Sequence, residues 1–525
     1  MSKVIIIGLD GATWGLMKPA VDRGELPTIK RLMDNGVWAD FQSTIPAWTI
    51  PAWNSLSAGI EPGKLGFSTL MVKIGYDFKP FFYKRSLPKN NLWDILSDNG
   101  KKICIANVPH VYSAYEINGQ MVAGWYSCGK NLTYPPELEK NLNNVCSGYK
   151  IDVTEIDFDK DMLIEVYSRD KLRVKVKDVL LKHSQAFNFL LKSQEWDFAF
   201  FVFTALDRIQ HRFWDDQEAI LDMYRELDQK VKELLELKGA DADVFVVSDH
   251  GFGTGERTFN INQWLLKNGY LTLKKKLGYK ELVLYLQRYI EKLKLRNVAR
   301  KIIGILPRPM QIKLRKEVRV PRVEALNIDW KRTKAFAHTA AGEIWLNVKG
   351  REPAGAINPE EYESTQDAII SKLKELTDPK TGKRIPISVF KKQEIYNSRE
   401  PNVLPDLVIR LDDNINTIIP SLISKAVIDY KEDYGSHRPN GIFIACGPNI
   451  RPSGQRLDDV KIYDVFPTVL HIFGLPVPEN ADGKVLKHIF RDNSPPAIRP
   501  VGYRKIIERE KVEDAVRRLR QSGKI

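Results

Sequence analysis

Cysteine is nearly absent. The 525-residue chain has four, Cys104, Cys128, Cys146 and Cys446, scattered without a C-x-x-C pair. That scatter excludes a disulfide framework and a cysteine-rich zinc site, and it points to a reducing compartment. Long apolar runs are missing too. The amino-terminal run Val4 to Ile7 stops at Gly8 and Asp10, too short for a signal-peptide core or a membrane span, so a cytoplasmic protein is expected. There is no low-complexity tract, and 43% hydrophobic with 28% charged residues is the composition of a folded globular chain. Histidine is scarce, eight in all, so the place of each carries information.

The length exceeds one comfortable core and predicts two or three structural units. A net charge of +14 favours anions. It suits phosphate-bearing substrates, nucleic acid, an acidic membrane surface or a basic solubility surface equally. No aromatic stacking motif of the RRM or OB type accompanies the basic residues, so no specific nucleic-acid partner is expected.

What is present is an alternation. Val4 to Leu9 reads as a fully buried strand, followed by a glycine turn and helical material to about Met33. Asp197 to Leu206 and Asp243 to Ser248 are two more such strands, with an amphipathic helix, Glu218 to Leu237, between them. This predicts an α/β fold with a central, largely parallel sheet covered by helices on both faces.

Polar residues gather at the strand ends. Asp10 follows VIIIGL, Asp207 and His211 follow FVFTAL as D-R-I-Q-H, and Asp249 and His250 follow VFVVS as D-H-G. His437 stands in Y-G-S-H-R-P-N-G, just before the apolar run Ile442 to Ala445. Taken singly, D-x-x-x-H also fits a helix face with a capping Asp, and D-H-G a plain turn. Three Asp and three His at the mouths of one sheet together suit two adjacent divalent metals. Upstream, TIPAWTIPAW repeats a Pro-Ala-Trp step on either side of Thr49, with Pro51 expected to open the following helix.

The order GLDGA, T-x-P-A-W-x-S-x-x-x-G-x-x-P-G-x-x-G, D-x-x-x-H-x-F-W, SDHGFG and GSHRPNG resembles the type I phosphodiesterase and nucleotide pyrophosphatase branch of the alkaline phosphatase superfamily. The resemblance runs from about Lys3 to about Leu486. It implies an alkaline-phosphatase-like fold and a metal-dependent phosphoric ester hydrolase. Thr49 would be the nucleophile, in contact with the metals and transiently phosphorylated. Asp207, His211 and His437 would hold one divalent ion, and Asp10, Asp249 and His250 the other. Zinc is the family's usual metal, while manganese or iron accepts the same donors. Thr44, in the first copy of the repeat, lacks the downstream N-S-L-S-A-G register and is expected to be structural. Two departures bear on nucleotide selectivity: Ala52 and Trp53 replace the family's Asn-His, and Leu65 and about Leu70 stand where it has His and a phosphate-holding Asn. Asn54, one turn into the helix, could supply an amide in their place, but a helix-surface asparagine without a role is the expectation.

The division expected is a catalytic core over residues 1–269 and 326–500, an inserted basic helical subdomain over 270–325, and a charged helix over 501–525. The insertion reads as a solvated subdomain, a substrate cap, a dimer element, or a peripheral contact of residues 270–320 with anionic membrane. Residues 328–353 read as a return to the core, with His338 structural. The partner expected is a small phosphate ester. Two other readings are a phosphatase or phosphoglycerate-mutase-like phosphotransferase of the same superfamily, and a non-catalytic binder of anionic lipid or nucleic acid. Intact ligand positions argue against the last.

Overall fold

The computed structural model describes residues 2–80, 90–109, 111–125, 127, 131–153, 156–157, 162–163, 168–239, 241–255, 257–274, 328–398, 401–411, 416–422, 424–430 and 435–505. The helices expected within 270–325 and 501–525 lie almost wholly outside these residues.

The main sheet comprises β1 (Lys3–Leu9), β2 (Gly36–Gln42), β3 (Ile103–Ala106), β4 (Gly119–Val122), β5 (Thr133–Tyr134), β6 (Phe198–Phe203), β7 (Ala242–Val247), β8 (Asn440–Cys446) and β9 (Gln455–Lys461). Their spatial order is β9-β2-β8-β7-β1-β6-β3-β4-β5. The central run from β7 to β4 is parallel, and β8 joins it antiparallel to β7. Both faces of the parallel run are covered, which is why VIIIGL, FAFFVF and ADVFVV are continuous apolar runs rather than alternating ones.

One face packs against α1 (Trp14–Asp22), α2 (Pro27–Asp34), α4 (Arg169–Ser193), α5 (Ala205–Phe213) and α6 (Gln217–Leu237), through Ile5, Ile7, Phe201, Phe203 and Val246. Asp228 of α6 caps α2, its carboxylate accepting from Thr28 N at 3.1 Å and Ile29 N at 2.9 Å. The other face packs against α3 (Thr49–Ala58) and the helix Val465–Ile472, through Val4, Ile6, Phe200, Val202 and Phe245.

Helix α3 starts at Thr49, two residues earlier than expected, with Trp48 in extended conformation at its N-cap. Pro51 sits in the first turn, where a missing N–H deprives no carbonyl of a partner. Every residue from Thr49 to Ser57 is buried, and the helix ends at Gly59 in the left-handed conformation. Asn54 is therefore not on the surface: it is buried and donates from Nδ2 to Ile50 O at 2.6 Å. Trp53 lies across β1 at Gly8, where a Cβ would come within 2.6 Å of the indole. Glycine at that point is what lets the helix approach the sheet.

A second apolar core contains Phe259, Trp264, Phe336, Trp345, Ile369 and Leu407. The strands Ala335–Phe336 and Glu343–Leu346 belong here, in a four-stranded sheet with Leu407–Leu411 and Ile387–Lys391. Residues 328–353 thus belong to a second lobe together with the described residues of 259–271 and 357–428, and the chain rejoins the main sheet only at Asn440. The hairpin Met71–Ile74/Asp77–Pro80 docks into this lobe: Phe78 stacks on His338 at 3.8 Å, and Lys73 Nζ pairs with Glu352 at 2.5 Å in a buried ion pair.

Trp53→Ala is expected to lower stability by about 3 to 5 kcal/mol in urea unfolding. A loss below about 1 kcal/mol would mean that the α3–sheet contact is not a principal packing site.

Candidate metal centre

The carboxyl ends of β7, β1 and β6 lie next to one another, and a polar residue leaves each. Asp10 directly follows β1, while Asp249 and His250 follow β7 after Ser248. Asp207 is in the first turn of α5, which begins just past β6, and His211 comes one turn later on the same face. His437 arrives on a ribbon in which Gly251–Thr254 pairs antiparallel with Gly435–Arg438, placing it opposite Phe252.

Two clusters result. Asp10, Asp249 and His250 offer one atom each within 4.8 Å of one another, and so do Asp207, His211 and His437. The clusters adjoin through the His250 and His437 rings, stacked with centroids 3.6 Å apart. Thr49 Oγ1 lies 3.2 Å from His250 Nε2.

Each histidine keeps one nitrogen on a backbone carbonyl: His250 Nδ1 lies 3.1 Å from Gly251 O, His211 Nδ1 3.2 Å from Gly435 O, and His437 Nδ1 3.3 Å from Ala47 O. An Nδ1–H donated there leaves each Nε2 with its lone pair turned into the site. The carboxylates repeat the device. Asp10 Oδ2 accepts from Trp53 Nε1 at 3.2 Å, Asp249 Oδ1 from Gly11 N at 3.1 Å, and Asp207 Oδ2 from Arg208 Nη1. The remaining oxygens, Asp10 Oδ1, Asp249 Oδ2 and Asp207 Oδ1, are buried without a hydrogen bond of acceptable geometry. Imidazole nitrogens stand 3.2 to 3.9 Å from them. Gly11 is required twice over, by its φ of +73° and because a Cβ would meet Asp207 Cα at 3.3 Å.

The electrostatics show what the cluster wants. Burial, reinforced by Asp249 and Asp207, holds the Asp10 carboxyl well above its usual range, and burial pushes Asp249 up to about 7. Burial opposes ionisation of Asp207 as well, yet His211 and Arg208 outweigh it and hold that carboxyl low. Burial depresses His250 and His437 to about 4, so both are neutral near pH 7. Buried carboxylates against one guanidinium, with unprotonated imidazoles between them, leave a deficit of positive charge that divalent cations offset. The mixed nitrogen and oxygen set fits zinc, manganese or iron.

Thr49 is 5% exposed in the first turn of α3. The first ladder bond of that helix runs from Ala52 N to Trp48 O at 2.9 Å, so the N–H groups of Thr49 and Ile50 lie outside the ladder. Thr44 is buried and donates to Pro46 O at 2.7 Å. Trp53 and Arg208 orient Asp10 and Asp207, roles that the sequence alone does not assign to either residue. The repeated Pro-Ala-Trp step was the available signal for Trp53, and adjacence to Asp207 the one for Arg208.

The family model described as type I phosphodiesterase/nucleotide pyrophosphatase matches residues 4–418, most of the chain. The chain belongs to that family. As a type I phosphodiesterase/nucleotide pyrophosphatase it is a phosphoric ester hydrolase, acting on small phosphate esters in a family that works with divalent metals. No curated protein matches the sequence. Among solved structures, human ectonucleotide pyrophosphatase/phosphodiesterase 5 superposes with a TM-score of 0.50 at 12% identity, over 94% of this chain and 100% of that one. An inactive murine ectonucleotide pyrophosphatase/phosphodiesterase 5 in complex with AMP gives a TM-score of 0.50 at 12% identity, with 94% and 100% covered. These likenesses are of fold: the alkaline-phosphatase-like architecture is shared. Among the described residues of this family member, no helix is long and apolar enough to cross a membrane, and Cys104, Cys146 and Cys446 are unpaired.

Protein equilibrated with zinc or manganese and then desalted is expected to hold about two ions per chain. His437→Ala and Asp249→Asn should each remove one, as read by elemental analysis. Unchanged metal content in both variants would contradict the assignment of the clusters.

Proposed function

We propose that this hydrolase cleaves phosphodiesters or pyrophosphates with Thr49 as nucleophile and two divalent ions in the clusters described above. The supporting observation is the device repeated at the three carboxylates: one oxygen of each is tied to a fixed protein donor and the other is buried without a hydrogen bond, while Thr49 Oγ1 lies 3.2 Å from His250 Nε2.

When bound, the metals would supply Lewis-acid charge, lowering the pKa of a hydroxyl and neutralising phosphoryl oxygens. The chain's own groups account for the rest. Trp53, the Gly11 amide and Arg208 keep the three carboxylates from rotating. Burial keeps His250 and His437 unprotonated, hence available as ligands, well below neutral pH. The N–H groups of Thr49 and Ile50, at the positive end of α3, suit non-bridging phosphoryl oxygens. Thr49 Oγ1 attacks phosphorus in line, forming its P–O bond as the bond to the leaving oxygen breaks. Water then hydrolyses the phosphothreonine and restores the hydroxyl.

Zinc is the metal we assign first. The AMP in the murine neighbour agrees with a nucleotide substrate, although Leu65 and Leu70 stand where the family has polar residues. The unpaired cysteines agree with a reducing, cytoplasmic location. We retain residues 1–269 and 326–500 as one catalytic unit built of the two lobes, with 270–325 as an inserted segment.

Hydrolysis of bis-p-nitrophenyl phosphate should fall by at least about three orders of magnitude in Thr49→Ala and survive in Thr44→Ala. Undiminished turnover in Thr49→Ala would remove the nucleophile. A preference for the corresponding monoester would favour a phosphatase.

A further inference from the structure

Arg208 follows Asp207 directly, yet its side chain is only 12% exposed. Three contacts fix it. Its Nε lies 3.1 Å from both Asp152 oxygens, and its Nη2 donates to Asp152 Oδ2 at 2.7 Å. The guanidinium carbon sits 4.2 Å from the centroid of the Trp125 ring. The remaining nitrogen, Nη1, donates to Asp207 Oδ2.

Asp152 is 1% exposed and belongs to residues 146–153, a strap without helix or strand. Helix α4 pins this strap by its carbonyls. Lys182 Nζ donates to Cys146 O at 2.9 Å, Ser147 O at 3.0 Å and Gly148 O at 2.7 Å. The adjacent His183 places Nε2 3.0 Å from both Lys150 O and Ile151 O. A buried lysine and a buried histidine, neither in the metal centre, are thus committed to holding eight residues of irregular backbone. The ordered feature they deliver is the Asp152 carboxylate.

We propose that the strap 146–153 is a positioning element for Asp207: Lys182 and His183 hold the strap, Asp152 holds Arg208, and Arg208 fixes Asp207 so that Oδ1 faces His211 and His437. This rests on the reading of those three residues as metal ligands. A carboxylate bound through one oxygen can rotate about its Cβ–Cγ bond. A planar guanidinium anchored on its far side by a bidentate carboxylate and on its face by an indole removes that freedom. Outer contacts of this kind typically change metal affinity or activity 10- to 100-fold when lost. A salt bridge serving stability alone would leave metal affinity untouched.

The test compares wild type, Asp152→Asn, Arg208→Gln and the double variant. Zinc affinity is read by chelator competition, kcat and KM on bis-p-nitrophenyl phosphate, and folding by urea unfolding. One of the two zinc ions should bind about tenfold or more weakly in each single variant while the other keeps its affinity, and kcat should fall more than KM rises. The double variant should lose little beyond Arg208→Gln, because Asp152 acts through Arg208. Folded single variants with both zinc affinities and kcat at wild-type values would overturn the proposal. If both single variants fail to fold, Lys182→Gln decides: it loosens the strap away from the metals and should weaken the same one ion, whereas unchanged affinity would overturn the role. Wild type that binds no zinc or manganese would overturn the metal reading itself, and the positioning role with it.

Discussion

Three carboxylates with no access to water are the constraint from which the rest of this structure follows. Asp10, Asp207 and Asp249 are each at most 1% exposed, and one guanidinium cannot balance them. Burying such charges costs several kcal/mol per ion unless opposite charge is bound between them. The protein meets the cost by spending a fixed donor on one oxygen of each carboxylate and leaving the other for a cation. His250 and His437, with Nδ1 on a carbonyl and Nε2 inward, follow the same logic in neutral form. A site built this way is pre-organised for metal and poorly suited to anything else.

The fold supplies the rigidity this needs. Parallel strands buried on both faces end at one edge, so Asp10, Asp207 and Asp249 emerge beside one another without long side chains. The ribbon carrying His437 is anchored on the strand that follows His250. Helix α3, buried on every side, brings Thr49 to that edge and secures it through Trp53, whose ring rests on β1 and whose indole N–H holds Asp10. Nucleophile and ligand therefore share one anchor. The hairpin over residues 71–80, a dozen residues beyond α3, is embedded in the second apolar core, so the nucleophile-bearing segment is tied to both lobes.

The parallel core was legible because fully buried strands advertise themselves as unbroken apolar runs, and the polar residues after them, Asp10, Asp249 and His250, could be read from position alone. His437 needed its motif, since its strand is short and half-buried. The start of α3 was misplaced because proline favours the first helical position, whereas here it takes the third, which is equally free of ladder bonds. A polar residue on a helix usually faces solvent, which is the expectation for Asn54; a helix enclosed on all sides gives it the Ile50 carbonyl instead. Asp152 had no signal at all, since nothing in its local pattern marks it as the partner of Arg208. The second lobe was read as a return to the core because short apolar strands do not reveal which sheet they join.

The most direct test of the central claim is anomalous diffraction at the zinc edge from crystals of the zinc-loaded protein. Two peaks about 4 Å apart are expected, one among Asp10, Asp249 and His250 and the other among Asp207, His211 and His437, with Thr49 Oγ1 beside them. A single peak, or peaks outside these residues, would contradict that claim.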